Sequence, residues 1–295
     1  MNDLPPRVEL LRRELVQAIP CKPAARAELE SMHLSDLMGV YVNWVVRLVP
    51  PRRRNVTFAH GFWTEKALAQ EKAIYNLVEQ IRLGACLDPF LSKKVRTDGF
   101  VPRPAGKRKG IEWGGKDFVL NILDVHHLHL DARHGDTLLY GFFYPNDAHF
   151  VLLGGHKSFD DGSLEEAVVA TRADHGHLTL RGIMPPAESF TPQERRRLAR
   201  YGVSTVAQVG GRMVIGAAPT TAGTSIRHGQ CADGILRCLR ETEPKLDDPA
   251  FLGRLCADIP LKVTDPVWSL HYTDLGICQR GRETDGIVVV RKGLL

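Results

Sequence analysis

One stretch, residues 113–161, constrains the fold most, because it combines the clearest β-strand pattern with half of the histidines. Six of the twelve histidines of the 295-residue chain fall within it. Residues 125–131 alternate in polarity, and successive side chains of a strand point to opposite faces. We expect the leucines of this segment to face a core. His127 and His129 then share the opposite face, about 6.5 Å apart along the strand.

Two further strands follow in the same stretch. Residues 137–144 are almost wholly apolar and aromatic, which is typical of a central strand buried on both faces. A Pro-Asn-Asp turn leads to a third strand over residues 148–153. Two glycines then present His156 and Lys157 on a loop. The sequence therefore predicts an antiparallel meander with imidazoles at its rim.

The regions on either side of the meander have other patterns. Residues 1–96 show apolar side chains at helical spacing, and Thr191 begins a capping-box sequence with Glu194. Helices are predicted over residues 8–19, 24–32, 35–49 and 64–82. We predict an α+β fold with a helical region (1–100), an antiparallel β-sheet core with the histidine cluster (101–185) and a mixed α/β extension (186–295).

The positive charge of the chain is concentrated in one segment. The net charge is +5, and residues 93–116 hold eight Lys or Arg against two acidic residues, a local +6. A segment of this kind is either a solvated loop or a surface that binds anions. If it binds single-stranded RNA, the residues expected to contact phosphates are Arg103, Lys107, Arg108 and Lys109.

Cysteine usage and hydropathy indicate the compartment. The six cysteines are widely spaced and form no C-x-x-C pair. The N-terminal residues lack the pattern of a signal peptide, and no stretch reaches the roughly 18 apolar residues of a membrane span. The sequence therefore predicts a cytoplasmic protein with free thiols and no membrane partner.

The histidines of the meander suggest acid–base chemistry on a phosphodiester. Imidazole both accepts and donates a proton near neutral pH. One histidine would remove the proton of a ribose 2′-hydroxyl, and another would protonate the leaving 5′-oxygen. A cation would stabilise the phosphorane, and no metal or other cofactor is needed. The candidate catalytic residues are His127, His129, His156, Lys157 and Arg133, whereas His126 is expected to be a core residue.

The run from Asp124 to Phe159 resembles the C-terminal meander of the RelE/ParE superfamily of small bacterial toxins. The segments that carry the resemblance are HHLHL (His126–Leu130), LLYGFFY (Leu138–Tyr144) and FVLLGGHKSF (Phe150–Phe159). It implies a sheet with helices on one side and, for the RelE branch, metal-independent RNA cleavage. The histidine-rich strand departs from the family, whose catalytic residues are commonly arginine, lysine and tyrosine. The run also resembles segments of uncharacterised bacterial accessory-genome proteins, which implies no activity.

Other chemistries stay open at this point. A zinc-dependent hydrolase would use His127 and His129 together with His134, His156 or Asp131. Free backbone N–H groups in the Gly/Thr/Ser-rich segment Pro219–Gln230 could hold a phosphate, although a well-capped helix start explains the same pattern. A non-enzymatic module that binds nucleic acid or protein is the main alternative to an enzyme.

Together these patterns favour one function. We predict a metal-independent endoribonuclease of the toxin or phage-defence type. Its partners would be single-stranded RNA or the ribosome, and an antitoxin protein is a further expected partner.

Overall fold

The computed structural model describes residues 4–103, 114–131, 135–174, 179–180, 182–183, 190–209, 211–217, 219–257, 263–282 and 286–294. The fold is α+β, as the sequence predicts, with helices concentrated in the N-terminal third and several small sheets. Within these ranges, no helix combines the length and hydropathy that a membrane span requires.

Helices occupy the segments between the strands. In chain order they are α1 (Pro6–Ala18), α2 (Pro23–Ser31), α3 (Leu34–Val45), α4 (Glu65–Leu68), α5 (Glu71–Leu83), α6 (Lys94–Thr97), α7 (Phe118–Leu123), α8 (Ser163–Asp174), α9 (Pro192–Arg200), α10 (Ile226–Thr242) and α11 (Pro249–Leu255). Short 3-10 helices cover Asp88–Phe90, His156–Phe159 and Glu243–Lys245.

The strands form a four-stranded sheet and two three-stranded sheets. They are β1 (Asn55–Phe58), β2 (His126–His129), β3 (Leu138–Phe143), β4 (Asp147–Gly154), β5 (Thr179–Leu180), β6 (Thr205–Val209), β7 (Arg212–Ala217), β8 (Pro266–His271), β9 (Asp274–Gln279) and β10 (Val288–Arg291). The sheet orders are β1-β4-β3-β2, β5-β7-β6 and β10-β9-β8.

The four-stranded sheet contains the predicted meander. Strands β2, β3 and β4 pair antiparallel, and β3 is buried at every position, as expected for a central strand. Strand β1 was not predicted. It pairs with β4 in parallel, with Asn55 opposite Asp147 and Phe58 opposite Phe150. The sheet is therefore mixed, with an edge strand supplied from the helical N-terminal third.

Apolar clusters cover both faces of this sheet. The first cluster joins α5 to one face through side chains that include Ile74, Leu128, Leu139 and Phe150. The second cluster joins the other face to α7, α8 and α9, and its members include Leu123, Leu138, Tyr140, Val168 and Ala199. The sheet is thus the middle of three layers, which is a common way to bury both faces of a strand such as β3.

Contacts group the chain into two compact units. The first unit comprises residues 1–46, 96–102 and 227–295, and the second comprises residues 47–95 and 103–226. The four-stranded sheet and the sheet of β5, β6 and β7 belong to the second unit. This grouping does not show whether the three regions predicted from the sequence fold independently, so that division stays a prediction.

Helix ends follow local capping chemistry, and two of the predicted helices differ from expectation. The side chain of His33, rather than that of Ser35, caps α3, and this helix ends at Val45. The helix predicted over residues 64–82 is two helices, α4 and α5, with the break between them at residues 69–70. The capping box of α9 is present: Thr191 Oγ1 accepts from the N–H of Glu194, whose carboxylate accepts from Thr191.

Candidate functional site

Strand pairing determines where the histidines of β2 point. His127 lies opposite Tyr140, and His129 lies opposite Leu138. Residues that face each other in an antiparallel pair share one side of the sheet. Tyr140 and Leu138 belong to the second apolar cluster. The two histidines therefore lie on the face that α7 and α8 cover, and not on an open face.

Three imidazole rings lie in a row in the second unit. The ring centroids of His127 and His129 are 6.5 Å apart, and those of His129 and His156 are 6.0 Å apart. The ring of Tyr140 is 6.2 Å from that of His127. We call His127, His129 and His156 the histidine row. The structure thus brings together the three histidines that the sequence analysis selected.

A backbone carbonyl orients the ring of His129, and a carboxylate lies near that of His127. Nδ1 of His129 is 2.9 Å from the carbonyl oxygen of Gly135. Because a carbonyl only accepts, Nδ1 must carry the hydrogen, and Nε2 is the basic nitrogen of the neutral ring. Nδ1 of His127 is 3.6 Å from Oδ2 of Asp117, while Oδ1 of Asp117 caps α7 by accepting from the N–H of Leu120.

His156 and Lys157 lie on a 3-10 helix, and not on the open loop that the two glycines suggested. The turn is held because Ser158 Oγ accepts from the N–H of Gly155. Nε2 of His156 is 3.8 Å from Oδ1 of Asp136. The side chain of His156 is 60% exposed, and Lys157 is also exposed.

Accessibility changes along the histidine row. His129 is only 5% exposed, the side chain of His127 is 18% exposed and that of His156 is 60% exposed. Leu128 and Leu130 belong to the first apolar cluster, and His127 and His129 lie on the opposite face of the strand, as expected. The expectation that the imidazoles lie at an open rim is wrong for these two, because the second apolar cluster covers their face. A ligand would reach the row from the His156 end.

Tyr140 is a member of the site that sequence reasoning missed. Its hydroxyl donates to the carbonyl oxygen of Gly155 at 2.9 Å. Burial raises the pKa of Tyr140 well above its usual value, and the charges of Asp117, Asp161 and Asp160 raise it further. The hydroxyl therefore stays protonated and acts as a donor that fixes the start of the 3-10 helix. In the sequence Tyr140 is one residue of the apolar and aromatic run 137–144, and only the strand register, which places it opposite His127, identifies it.

Several predicted residues lie outside the described part of the chain. These are Arg133, His134, Lys107, Arg108 and Lys109. Arg103 is described and exposed. The role expected for the basic segment in RNA binding therefore stays a prediction.

His126 and His149, the other histidines of the meander that the structure describes, lie apart from the row. His126 is 6% exposed and packs with its ring centroid 5.3 Å from that of Phe143, in agreement with its expected place in the core. Nδ1 of His149 lies 2.8 Å from Thr57 Oγ1. Among the described residues, no group of three His, Cys, Asp or Glu side chains is close enough to hold a metal ion.

The Gly/Thr/Ser-rich segment before α10 is a closed turn. Thr220 and Thr224 bond to each other through their hydroxyls at 2.9 Å and through their backbones at 2.7 Å. Carbonyl groups of the turn also accept from neighbours: that of Ala222 from Lys116, and that of Gly223 from Asn121. These bonds fit a capped helix start and add no support for a phosphate site.

No protein-family model, curated protein or solved structure is significantly similar to this chain. The resemblance of residues 124–159 to the RelE/ParE superfamily therefore stays a prediction, and the geometry of the histidine row is the basis for a functional proposal.

Proposed function

We propose that the protein is a metal-independent endoribonuclease whose catalytic groups are those of the histidine row. The observation that carries the proposal is the row itself, with three imidazoles at successive centroid distances of 6.5 and 6.0 Å. Imidazoles are suited to general acid–base catalysis at neutral pH. Two imidazoles of the row can supply a base and an acid without a metal ion, and His127 and His156 are the two whose side chains are not fully buried.

The surroundings of each ring suggest its role. Asp117 beside Nδ1 of His127 favours a hydrogen on that nitrogen, so that Nε2 is the base for the ribose 2′-hydroxyl proton. His156 is the most exposed ring of the row and would protonate the leaving 5′-oxygen. His129 lies between them, and its bond to Gly135 fixes its tautomer.

Lys157 would stabilise the developing charge on the phosphate. It is exposed and directly follows His156 on the same 3-10 helix. A fixed positive charge beside a pentacoordinate phosphorus lowers the barrier by electrostatic stabilisation. Arg133, the other cation proposed for this role, lies outside the described residues. The substrate of this mechanism is RNA, because the attack needs a 2′-hydroxyl. Binding to a ribosome or to an antitoxin stays an expectation from the resemblance.

Cleavage of a short fluorescent RNA in the presence of a chelator tests the proposal. The expected product ends in a 2′,3′-cyclic phosphate, and a 2′-O-methyl RNA of the same sequence should stay intact. His127→Gln and His156→Gln should each slow cleavage by about 100-fold or more, the usual range for loss of an acid or base. The His156 variant is the safer of the two for folding, since its side chain is mostly exposed.

His60→Gln is the matched control, because His60 is also exposed but lies on the β1–α4 connection, outside the row. It should cleave at the wild-type rate. If wild-type protein binds the RNA but leaves it uncut, the endoribonuclease hypothesis is refuted in favour of a non-enzymatic module that binds nucleic acid. If cleavage persists in the His127 and His156 variants, the histidine row is not the active site.

A further inference from the structure

Helix α9 carries a basic surface that neither the acid–base mechanism nor the sequence analysis uses. Its four arginines differ in environment. Arg195 is buried and pairs with Glu165, whereas Arg197 and Arg200 are exposed. Two large aromatic side chains flank the helix, Phe190 at 56% exposure and Tyr201 at 65%. Exposed aromatic rings beside exposed arginines are the elements of a surface that binds single strands.

Aromatic contacts connect this surface to two phenylalanines that are close in sequence to residues of the site. The guanidinium of Arg200 lies 5.5 Å from the centroid of Phe118, and that of Arg196 lies 4.7 Å from the centroid of Phe159. The rings of Phe118 and Phe159 are themselves in edge contact at 4.9 Å. Phe118 follows Asp117, which lies against His127, and Phe159 ends the 3-10 helix that begins with His156. The basic face of α9 therefore contacts an aromatic pair that is close in sequence to the site.

The acidic residues near α9 leave its C-terminal half positive. Glu194 bonds to Thr191 in the capping box at the N-terminal end of the helix. Asp160 forms an ion pair with Arg196, and Glu165 is paired with Arg195. Arg197 and Arg200 have no carboxylate within ion-pair distance among the residues that the structure describes. Charge complementarity thus favours a polyanion at this end of α9.

We propose that the α9 surface, formed by Arg197, Arg200 and Tyr201, binds the single-stranded RNA that the histidine row cleaves. Two arginines would contact successive phosphates, and Tyr201 would stack on an unpaired base. The strand would then pass over Phe118 and Phe159 to reach His156. A duplex would not present unpaired bases for stacking, so the surface fits single strands. The inference rests on the proposed function for its substrate but makes a separate statement about binding.

Fluorescence anisotropy of a labelled single-stranded RNA at several salt concentrations tests the surface. Each phosphate contact on a single strand contributes about −0.7 to the slope of log K against log salt. The variant Arg197→Gln/Arg200→Gln should therefore flatten the slope by about 1.4. Tyr201→Ala should weaken binding about 5- to 150-fold without changing the slope, since loss of one stacked base costs about 1–3 kcal/mol.

Lys72→Gln/Arg82→Gln on α5 is the matched control. It removes the same charge from exposed positions on a helix that packs against the other face of the sheet. This variant should keep the wild-type slope. Equal loss of affinity in the α5 and α9 variants would mean that only net charge matters and would overturn the proposal. The proposal would also be overturned if the protein bound a duplex as tightly as a single strand and Tyr201→Ala had no effect on binding.

Cleavage assays on the same variants separate this inference from the proposed function. The α9 variants should raise KM and leave kcat near the wild-type value, because they do not touch the histidine row. If the protein binds RNA through α9 but never cleaves it, the proposed endoribonuclease activity is refuted and the proposed binding surface is supported. If the His156→Gln variant loses cleavage while the α9 variants bind and cleave normally, the enzyme stands and the surface is refuted.

Discussion

The buried ion pair between α8 and α9 gives the sharpest test of the structure. Nε of Arg195 lies 2.6 Å from Oε1 of Glu165, and their side chains are only 9% and 11% exposed. Burial raises the pKa of Glu165, although its contact with Arg195 opposes the rise. The desolvation cost therefore exceeds the benefit of the pair to the carboxylate. The pair positions α9 without giving a large net gain in stability.

The two partners should respond differently to removal. In Glu165→Leu the guanidinium of Arg195 stays buried, and it cannot lose its proton. We expect a loss of about 3–5 kcal/mol in the free energy of unfolding, with little change between pH 5 and pH 7. In Arg195→Met the carboxyl can take up a proton instead, which limits the cost.

The upper limit on the destabilisation of Arg195→Met follows from the ordinary pKa of the Glu165 carboxyl. Relative to the ordinary pKa of 4.5 for a glutamate carboxyl, protonation at pH 7 costs about 3.4 kcal/mol, from about 1.36 kcal/mol per pH unit. The same limit at pH 5 is about 0.7 kcal/mol. Arg195→Met should therefore be destabilised by no more than about 3.4 kcal/mol at pH 7 and recover most of it at pH 5. The sign is that of a raised acid pKa: stability is present at low pH and is lost as pH rises.

Urea unfolding at pH 5 and pH 7, followed by fluorescence and circular dichroism, measures these differences. The double variant Glu165→Leu/Arg195→Met should lie within about 1 kcal/mol of the wild type, since apolar side chains replace both charges. If the free energy of unfolding fell by less than about 0.5 kcal/mol in both single variants, the pair would behave as a solvent-exposed ion pair, which contradicts its burial. A double variant as unstable as the sum of the singles would show that the two side chains do not interact.

Three further predictions concern caps, pH and thiols. Thr191→Ala removes the cap of α9 and should lower the free energy of unfolding by about 1 kcal/mol in urea titrations, whereas Thr191→Ser should restore it. Hydrogen bonds lower the pKa values of Asp161 and Glu194, so their contribution is present above the ordinary carboxyl pKa. This contribution to stability is lost as pH falls through the lowered pKa values. At pH values below about 4, the melting temperature should therefore decrease. Burial raises the pKa of the Cys231 thiol, so mass spectrometry should find it alkylated far more slowly than exposed Cys86.

The meander could be predicted because its information is local. Alternation along β2 and the apolar run of β3 lie within a few residues, and a short turn joins β3 to β4. Strand β1 could not be predicted in the same way. It has four residues of mixed exposure, and it pairs with a strand some ninety positions away, from Asn55 to Asp147. A pairing so distant in sequence depends on the whole fold and leaves no local signal.

The burial of His129 shows a second limit of pattern reading. Alternation tells which residues share a face, but it does not tell which faces other elements cover. A signal was nevertheless present in β3, where all six residues are apolar, aromatic or glycine and hence suited to burial on both sides. Because β2 pairs with β3, the face of His127 and His129 had to be covered near its paired partners. The exposed histidine of the row is therefore the one beyond the sheet, on the 3-10 helix.

The different exposure of the three rings determines how a substrate could approach. His129 is enclosed, His127 is partly covered and His156 is mostly exposed, so a phosphodiester would approach from the side of His156 and meet His127 at the exposed part of its ring. The same side adjoins Phe159, on which Arg196 of α9 is stacked. An RNA strand held by α9 would thus meet His156 first, which agrees with the assignment of His156 as the acid for the leaving oxygen. The acid–base roles of the row and the position of α9 are therefore consistent with one direction of approach.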